Sequence, residues 1–267
     1  MEQIELTSQD GTPIAAQHGG VGSPMVLVHG SFGGLDSWSP VLAELDGEFA
    51  TWSYARRGYP PSGAGRDGNT FDDDVADLAA VVAAADGRPH LVGGSHGATV
   101  ALHAVRAAAV DVASLTIFEP SLYAAGPALA DTLTRFRYLL RRERAAEALR
   151  TFLSEVARMP EPLLPPADGP VTDQTRVLLT GALRDLEAMV ADTTDLQRWG
   201  SLTVPTLLVH GELTWAPMPE TMSALYAALP AGSRRVVLAG QTHFAPQQAP
   251  AQFAAALRAF VQTSTAP

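Results

Sequence analysis

Along the chain, short runs of aliphatic residues alternate with longer stretches in which apolar positions recur every three or four residues. Residues 25–28 form the first such run, ending at His29-Gly30, and predict a buried strand that delivers its carboxyl end into a loop. A short helix is predicted over 36–45, a strand over Phe49–Tyr54, and a loop over the proline- and glycine-rich 58–63. Over 71–85, Val75, Leu78, Val81 and Val82 share one helical face, and Asp72, Asp73 and Asp74 complement the dipole at its start. Further strands are predicted over 90–92, Ser114–Phe118, 204–209 and Arg234–Leu238, with helices over 95–110, 219–229 and 250–261. Strands separated by helices in this way predict an α/β fold, a mostly parallel sheet flanked by helices.

The alternation breaks once. Between residues 121 and 199 no strand pattern occurs; helical periodicity covers 129–153 and 171–196, split by a proline-rich stretch at 159–166. An all-helical insertion of this size predicts a cap (121–199) over a core made of 1–120 and 200–267.

Composition narrows the chemistry. The 267 residues include no cysteine, which removes disulfides, thiolate metal sites and a cysteine nucleophile. All 18 basic residues are arginine, so a Schiff-base lysine and a phosphate-loop lysine are absent as well. A formal charge of −10 argues against a nucleic acid or an anionic membrane as partner. The first residues lack the basic and apolar regions of a secretory signal, and no apolar run approaches the roughly 20 residues of a membrane span. The expectation is a cytoplasmic protein acting on a small molecule, with no cofactor and no metal; monomer and homodimer are both open.

Gly93-Gly94-Ser95-His96-Gly97 fits the pattern G-x-S-x-G. With 23 Gly and 15 Ser in the chain, chance supplies about 0.1 such matches, so the weight comes from the setting. The motif follows a predicted strand and opens a predicted helix, as a nucleophile elbow requires. Its glycines let strand and helix approach closely, and the helix N-terminus favours an oxyanion beside Ser95. The competing reading is a glycine-rich turn that binds phosphate, but neither G-x-G-x-x-G nor a lysine accompanies it. Of the seven histidines, His18 sits in an early strand or loop, His90 begins a predicted strand, His103 lies within the predicted helix over 95–110, and His29 and His210 precede glycines at strand ends. His243 lies in the loop between the last predicted strand and the last helix, free to act as a base.

His29-Gly30 after one strand, Arg56-Arg57-Gly58-Tyr59 after the next, the Ser95 motif and the late His243 together resemble the α/β-hydrolase fold over nearly the whole chain. The resemblance implies Ser95 as nucleophile and His243 as base. It also implies an oxyanion hole from the backbone N–H groups of Ser31 and His96, with Phe32 lining the same loop. The acid departs from the commonest pattern. Many relatives carry Asp four residues beyond the histidine of the seventh-strand His-Gly pair, and that position here is Thr214. A threonine cannot hold a charge against an imidazolium. Glu212, in the same loop, and Glu119, directly after the strand Ser114–Phe118, are the substitutes. Glu119 is preferred, because zearalenone-lactonase-like enzymes place a Glu acid there; Phe-Glu-Pro also occurs in relatives that use the later Asp.

Phe136 and Leu139 are assigned to substrate binding; like Tyr138, Leu140, Phe152 and Leu153 they fit either a pocket wall or packing within the cap. Trp215 and Met218 are further candidates for pocket walls. Six arginines between Arg135 and Arg150 suggest a phosphate patch, but the interleaved Glu143 and Glu147 favour a solvated helix face. The leading expectation is a serine hydrolase that cleaves a carboxylic ester or lactone of a largely apolar small molecule through an acyl-enzyme. Ser rather than Asp at the elbow argues against dehalogenase and epoxide-hydrolase chemistry. C–C bond hydrolysis, cofactor-free oxygenation and a non-catalytic ligand receptor are the alternatives on the same fold.

Overall fold

The computed structural model describes residues 1–45 and 47–264. Its strands are β1 (Glu2–Thr7), β2 (Pro13–Gly19), β3 (Ser23–Val28), β4 (Phe49–Tyr54), β5 (His90–Gly94), β6 (Ser114–Phe118), β7 (Thr206–Gly211) and β8 (Arg234–Leu238). They form one sheet in the order β1-β2-β4-β3-β5-β6-β7-β8, antiparallel at β1 and β2 and parallel from β4 to β8. The chain thus builds outward in both directions from β3, which leaves a crevice at the carboxyl ends of the central strands.

The central strands read as unbroken apolar runs because both of their faces are covered. Met25, Leu27, Val92 and Val209 pack against α1 (Ser39–Glu44), α8 (Ala245–Gln248) and α9 (Pro250–Ser264). Val26, Val28, Leu91 and Leu208 pack on the other side against α2 (Phe71–Ala84), α3 (His96–Arg106) and α7 (Met218–Ala228). Each such side chain, fully buried, contributes about 1.5–3 kcal/mol. The hairpin of β1 and β2 has no counterpart in the sequence reading. β1 lies at the sheet edge with its polar side chains exposed, so no apolar run marks it.

Between β6 and β7 the chain is helical: α4 (Ala130–Arg141), α5 (Ala145–Thr151), a π-helical turn Phe152–Val156, and α6 (Asp173–Ala191). The single helix predicted over 129–153 breaks between α4 and α5, where Glu143 takes a left-handed conformation with φ 58°. This insertion has its own core, in which Leu133, Phe136, Ala148, Leu179, Ala182 and Leu186 are buried. Arg135, Arg137, Arg144 and Arg150 pair with Glu155, Glu187, Glu147 and Glu161, so these four form a laced helix face instead of a free basic patch. The aspartates that open α2 divide their labour. Asp73 accepts the Thr70 N–H at 2.9 Å as a cap, whereas Asp74 turns inward to Arg56 at 3.3 Å. Among the described residues no helix is long and apolar enough to cross a membrane.

Candidate active site

The carboxyl ends of β3, β5, β6, β7 and β8, neighbours in that order, bring the candidate residues to one edge of the sheet. At the end of β5 the chain reverses into α3 through Ser95, whose φ of 53° is a left-handed strain typical of functional turns. The reversal needs its glycines: a Cβ on Gly93 would stand 2.6 Å from the Ala98 Cα, and one on Gly97 would stand 2.4 Å from the carbonyl oxygens of Val28 and His29. The Ser95 N–H donates to the Phe118 carbonyl at 2.8 Å, tying the elbow to the end of β6. Ser95 Oγ lies 3.3 Å from Ser121 Oγ. The His96 ring is fully buried and stacked on Phe71 at 5.0 Å, so only the backbone of this residue belongs to the elbow.

Glu119 follows β6 directly, is fully buried, and takes φ 44°. Three donors converge on its carboxylate. Oε1 accepts the Gly211 N–H at 2.8 Å; Oε2 accepts the Thr214 hydroxyl at 2.9 Å and lies 2.5 Å from His243 Nδ1. Thr214 thus holds the carboxylate that faces His243. Glu212 points elsewhere, accepting the Gly240 N–H at 2.8 Å. The His243 ring is flanked by Phe118 at 5.9 Å and Trp215 at 5.6 Å.

The two His-Gly strand ends share one structural device. His29 Nε2 accepts the Arg56 N–H at 3.0 Å, so its proton sits on Nδ1, which donates to the Gly30 carbonyl at 2.7 Å. Burial, then the neighbouring Arg56 charge, depress its pKa to about 3 and keep it neutral. His210 repeats the arrangement, with Nε2 accepting from Arg235 at 2.8 Å and Nδ1 donating to the Gly211 carbonyl at 3.1 Å; burial lowers its pKa as well. Both rings shape loops.

Two cavities meet at Ser95 and His243, and both also touch Ser31, Phe32 and Phe244. The first, about 410 Å³, lies between sheet and insertion; its walls include Tyr123, Phe152, Leu153, Val156, Leu178, Met189, Trp215 and Met218. The second, about 470 Å³, lies toward α1 and α8, with Trp38 and Phe118 as apolar floor and Asp36, Ser37 and Gln247 among its polar groups. Tyr123 and Trp215 donate to one carbonyl, that of Ala157, at 3.1 and 2.9 Å, pinning the end of the π-helical turn over the first cavity.

Phe136 and Leu139 line neither cavity, which corrects their assignment to substrate binding. Their face of α4 turns into the core of the insertion, and the Phe136 ring stands 6.1 Å behind that of Phe152, which is the wall residue. Phe152 and Leu153 were legible as apolar candidates. Ser121, Tyr123, Met159, Leu178, Met189 and Phe244 carry no sequence signal that separates them from ordinary packing. Among the described residues no group of three or more His, Asp or Glu side chains is placed to hold a metal ion.

A serine on a strained elbow, a buried carboxylate bonded to a histidine on a late loop, and a helical segment before the seventh strand are a combination open to comparison. An uncharacterized Bacillus subtilis protein, YqjL, is 34% identical over 89 residues, spanning 33% of this chain and only 35% of that protein. An alpha/beta hydrolase from Sphaerobacter thermophilus is 30% identical with a TM-score of 0.85, over 97% of this chain and all of that one. A thermophilic esterase from Thermogutta terrifontis shares the fold at a TM-score of 0.76 and 22% identity, over 100% of both chains. Residues 25–256, which hold every site residue discussed above, match the alpha/beta hydrolase family. The chain belongs to the alpha/beta hydrolase family.

Proposed function

We propose that this protein is a serine hydrolase that cleaves carboxylic esters or lactones of largely apolar small molecules through an acyl-enzyme. The observation that carries the reading is the Glu119–His243 pair at 2.5 Å opening onto the same two cavities as Ser95. Ser95 Oγ attacks the carbonyl carbon while His243 Nε2 takes its proton. Nδ1–H stays bonded to Glu119, which fixes the tautomer and supports the imidazolium. The oxyanion rests on the N–H groups of Ser31 and His96. Collapse of the tetrahedral intermediate breaks the bond to the leaving oxygen, which receives the proton from His243. Water then repeats the sequence on the acyl-enzyme and releases the acid.

The cavities speak to the substrate. Among the described residues, His243 and the Tyr123 phenol are the ionisable side chains that line the first one, so it suits a neutral apolar arm. The second carries polar groups at an exposed rim and suits the smaller or more polar arm. In this reading the segment 121–199 is a cap that sets substrate choice.

The test is labelling with a fluorophosphonate followed by mapping of the modified residue. Modification of Ser95, together with loss of aryl-ester turnover by several orders of magnitude in a folded Ser95→Ala variant, is expected. Modification elsewhere, or near-normal turnover in Ser95→Ala, overturns the reading. A panel of aryl esters and macrolactones, with oxygen consumption followed in parallel, separates ester cleavage from the other reactions of the fold.

A further inference from the structure

A buried polar cluster between sheet and insertion takes no part in the steps above. Arg56, whose side chain is 1% exposed, donates through both terminal nitrogens to Asp185 on α6 at 2.8 and 2.9 Å, and to Asp74 at 3.3 Å. Tyr59 donates its hydroxyl to Asp185 Oδ2 at 2.7 Å, and that hydroxyl oxygen accepts the Phe32 N–H at 3.1 Å. The buried His96 ring also approaches this carboxylate, with Nε2 3.5 Å from Asp185 Oδ1. An unbroken chain of contacts therefore runs from α6 to the loop at the end of β3. Burial opposes the charge on Asp185, but the Arg56 guanidinium first, then the neighbouring His96 ring and the Tyr59 hydroxyl, outweigh it and hold the carboxyl below its usual range.

The local sequence of α6 makes the contact possible. A Cβ on Gly181 would stand 2.4 Å from the Tyr59 Cζ, so the phenol ring occupies the place of a side chain. One turn further along the same face, Asp185 meets the hydroxyl. The loop on which this ends is itself strained, with Phe32 at φ 60°, a conformation a bulky residue holds only where surrounding contacts over-determine it. From the other side the Phe32 ring packs edge-on against Phe152 of the π-helical turn, 5.1 Å away. The insertion thus holds this loop at two points.

We propose that Tyr59 and Asp185 are positioning residues for the loop that presents the Ser31 N–H, so that the oxyanion site is complete only when α6 is seated on the sheet. The inference rests on the reading of the protein as a serine hydrolase. The Phe32 N–H is consumed by Tyr59, which sets the peptide plane next to the Ser31 N–H. Without the phenol oxygen, nothing in the chain of contacts holds Phe32 in its left-handed conformation from that side.

Tyr59→Phe is the decisive variant, since it deletes one oxygen and keeps the ring that fills the notch at Gly181. On an aryl ester, kcat should fall about tenfold with KM within twofold, the pattern of an interaction realised in the transition state. A trifluoromethyl ketone, which adds Ser95 and carries a full oxyanion, should bind about tenfold more weakly. The corresponding secondary alcohol, which cannot form that adduct, should bind as before. Asp185→Asn should move the same ratio in the same direction where it folds; Tyr59→Phe carries the test by itself. Equal weakening of both inhibitors would show a loosened structure and overturn the proposal. Unchanged kcat and inhibitor constants in Tyr59→Phe, beside wild-type protein labelled at Ser95, would overturn it while leaving the hydrolase reading intact. Wild-type protein that is inert and unlabelled at Ser95 would remove both.

Discussion

Glu119 and Asp185 are two carboxylates in one molecule, both fully buried, and they are satisfied in opposite ways. Asp185 faces a permanent cation: Arg56 grips it with both terminal nitrogens, the Tyr59 hydroxyl donates to it, and the His96 ring lies 3.5 Å away. Glu119 faces a backbone N–H, a hydroxyl and an imidazole, and His243 is its only ion-pair partner among the described residues. The difference separates structure from chemistry. A carboxylate neutralised by guanidinium has no charge left to respond with, and its value lies in fixing α6 against the sheet. In the proposed mechanism the Glu119 carboxylate acts on the imidazolium that forms when His243 takes the Ser95 proton. The junction holds a carboxylate–guanidinium pair and the site a carboxylate–imidazole pair.

Four substitutions probe that contrast, and a fifth, at His29, probes the acid sensitivity of the fold. Glu119→Gln should reduce kcat by about 10⁴ with a modest change in KM, because an amide N–H facing His243 Nδ1 favours the wrong tautomer. Its melting temperature should stay close to that of the wild type, and Glu212→Gln, measured on the same ester at the same pH, should be mild. A large loss in Glu212→Gln beside a small one in Glu119→Gln would move the acid to the later loop.

Arg56→Met should do the reverse at the junction. It leaves Asp74 and Asp185 buried without their cation, and removing one partner of a buried pair costs about 3–5 kcal/mol. Urea or thermal unfolding checks this, and a change below about 1 kcal/mol would show that the cluster is not the lock described.

Thr214→Val removes one donor from Glu119 and keeps the shape. A hydrogen bond to a charged group is worth about 1.5–3 kcal/mol, so kcat should fall roughly tenfold or somewhat more, with KM unchanged. Wild-type kcat in this variant would mean that Gly211 and His243 suffice to orient the carboxylate.

A further expectation concerns pH. His29 titrates at about 3 in the fold against an ordinary value of 6.5, so the unfolded chain binds the extra proton between those values. Its contribution is complete above pH 6.5 and is lost as pH falls toward 3, whereas Asp185, also depressed, contributes its loss only below the ordinary range of an aspartate. Unfolding free energy measured between pH 6 and 4 should therefore fall with a slope that His29→Asn flattens by about one proton. An identical slope in the two proteins would place the acid sensitivity elsewhere.

How much of this was legible follows from the range over which each feature acts. The elbow was readable because strand, glycines, serine and helix are contiguous, and the central strands because burial on both faces leaves unbroken apolar runs. Glu119 was readable as a candidate from its place at a strand end, and Thr214 only as a missing acid. The hydroxyl that Thr214 offers to Glu119 crosses 95 positions of the chain, which no periodicity records. Phe136 failed as a pocket residue because helical spacing shows that a face is apolar and not what lies in front of it; Phe152 stands there.

By itself the sequence determined an α/β sheet interrupted by a helical segment, a chemistry without cysteine or lysine, and a short set of candidates at strand ends, all consequences of local pattern and composition. Tertiary structure alone decided which carboxylate meets His243, which aromatic rings wall the cavities, and that Asp185 reaches Tyr59 across 126 positions. Those choices depend on side chains brought within hydrogen-bonding distance by the twist of the sheet and the packing of α6. Such distances come into being only when the whole chain has folded.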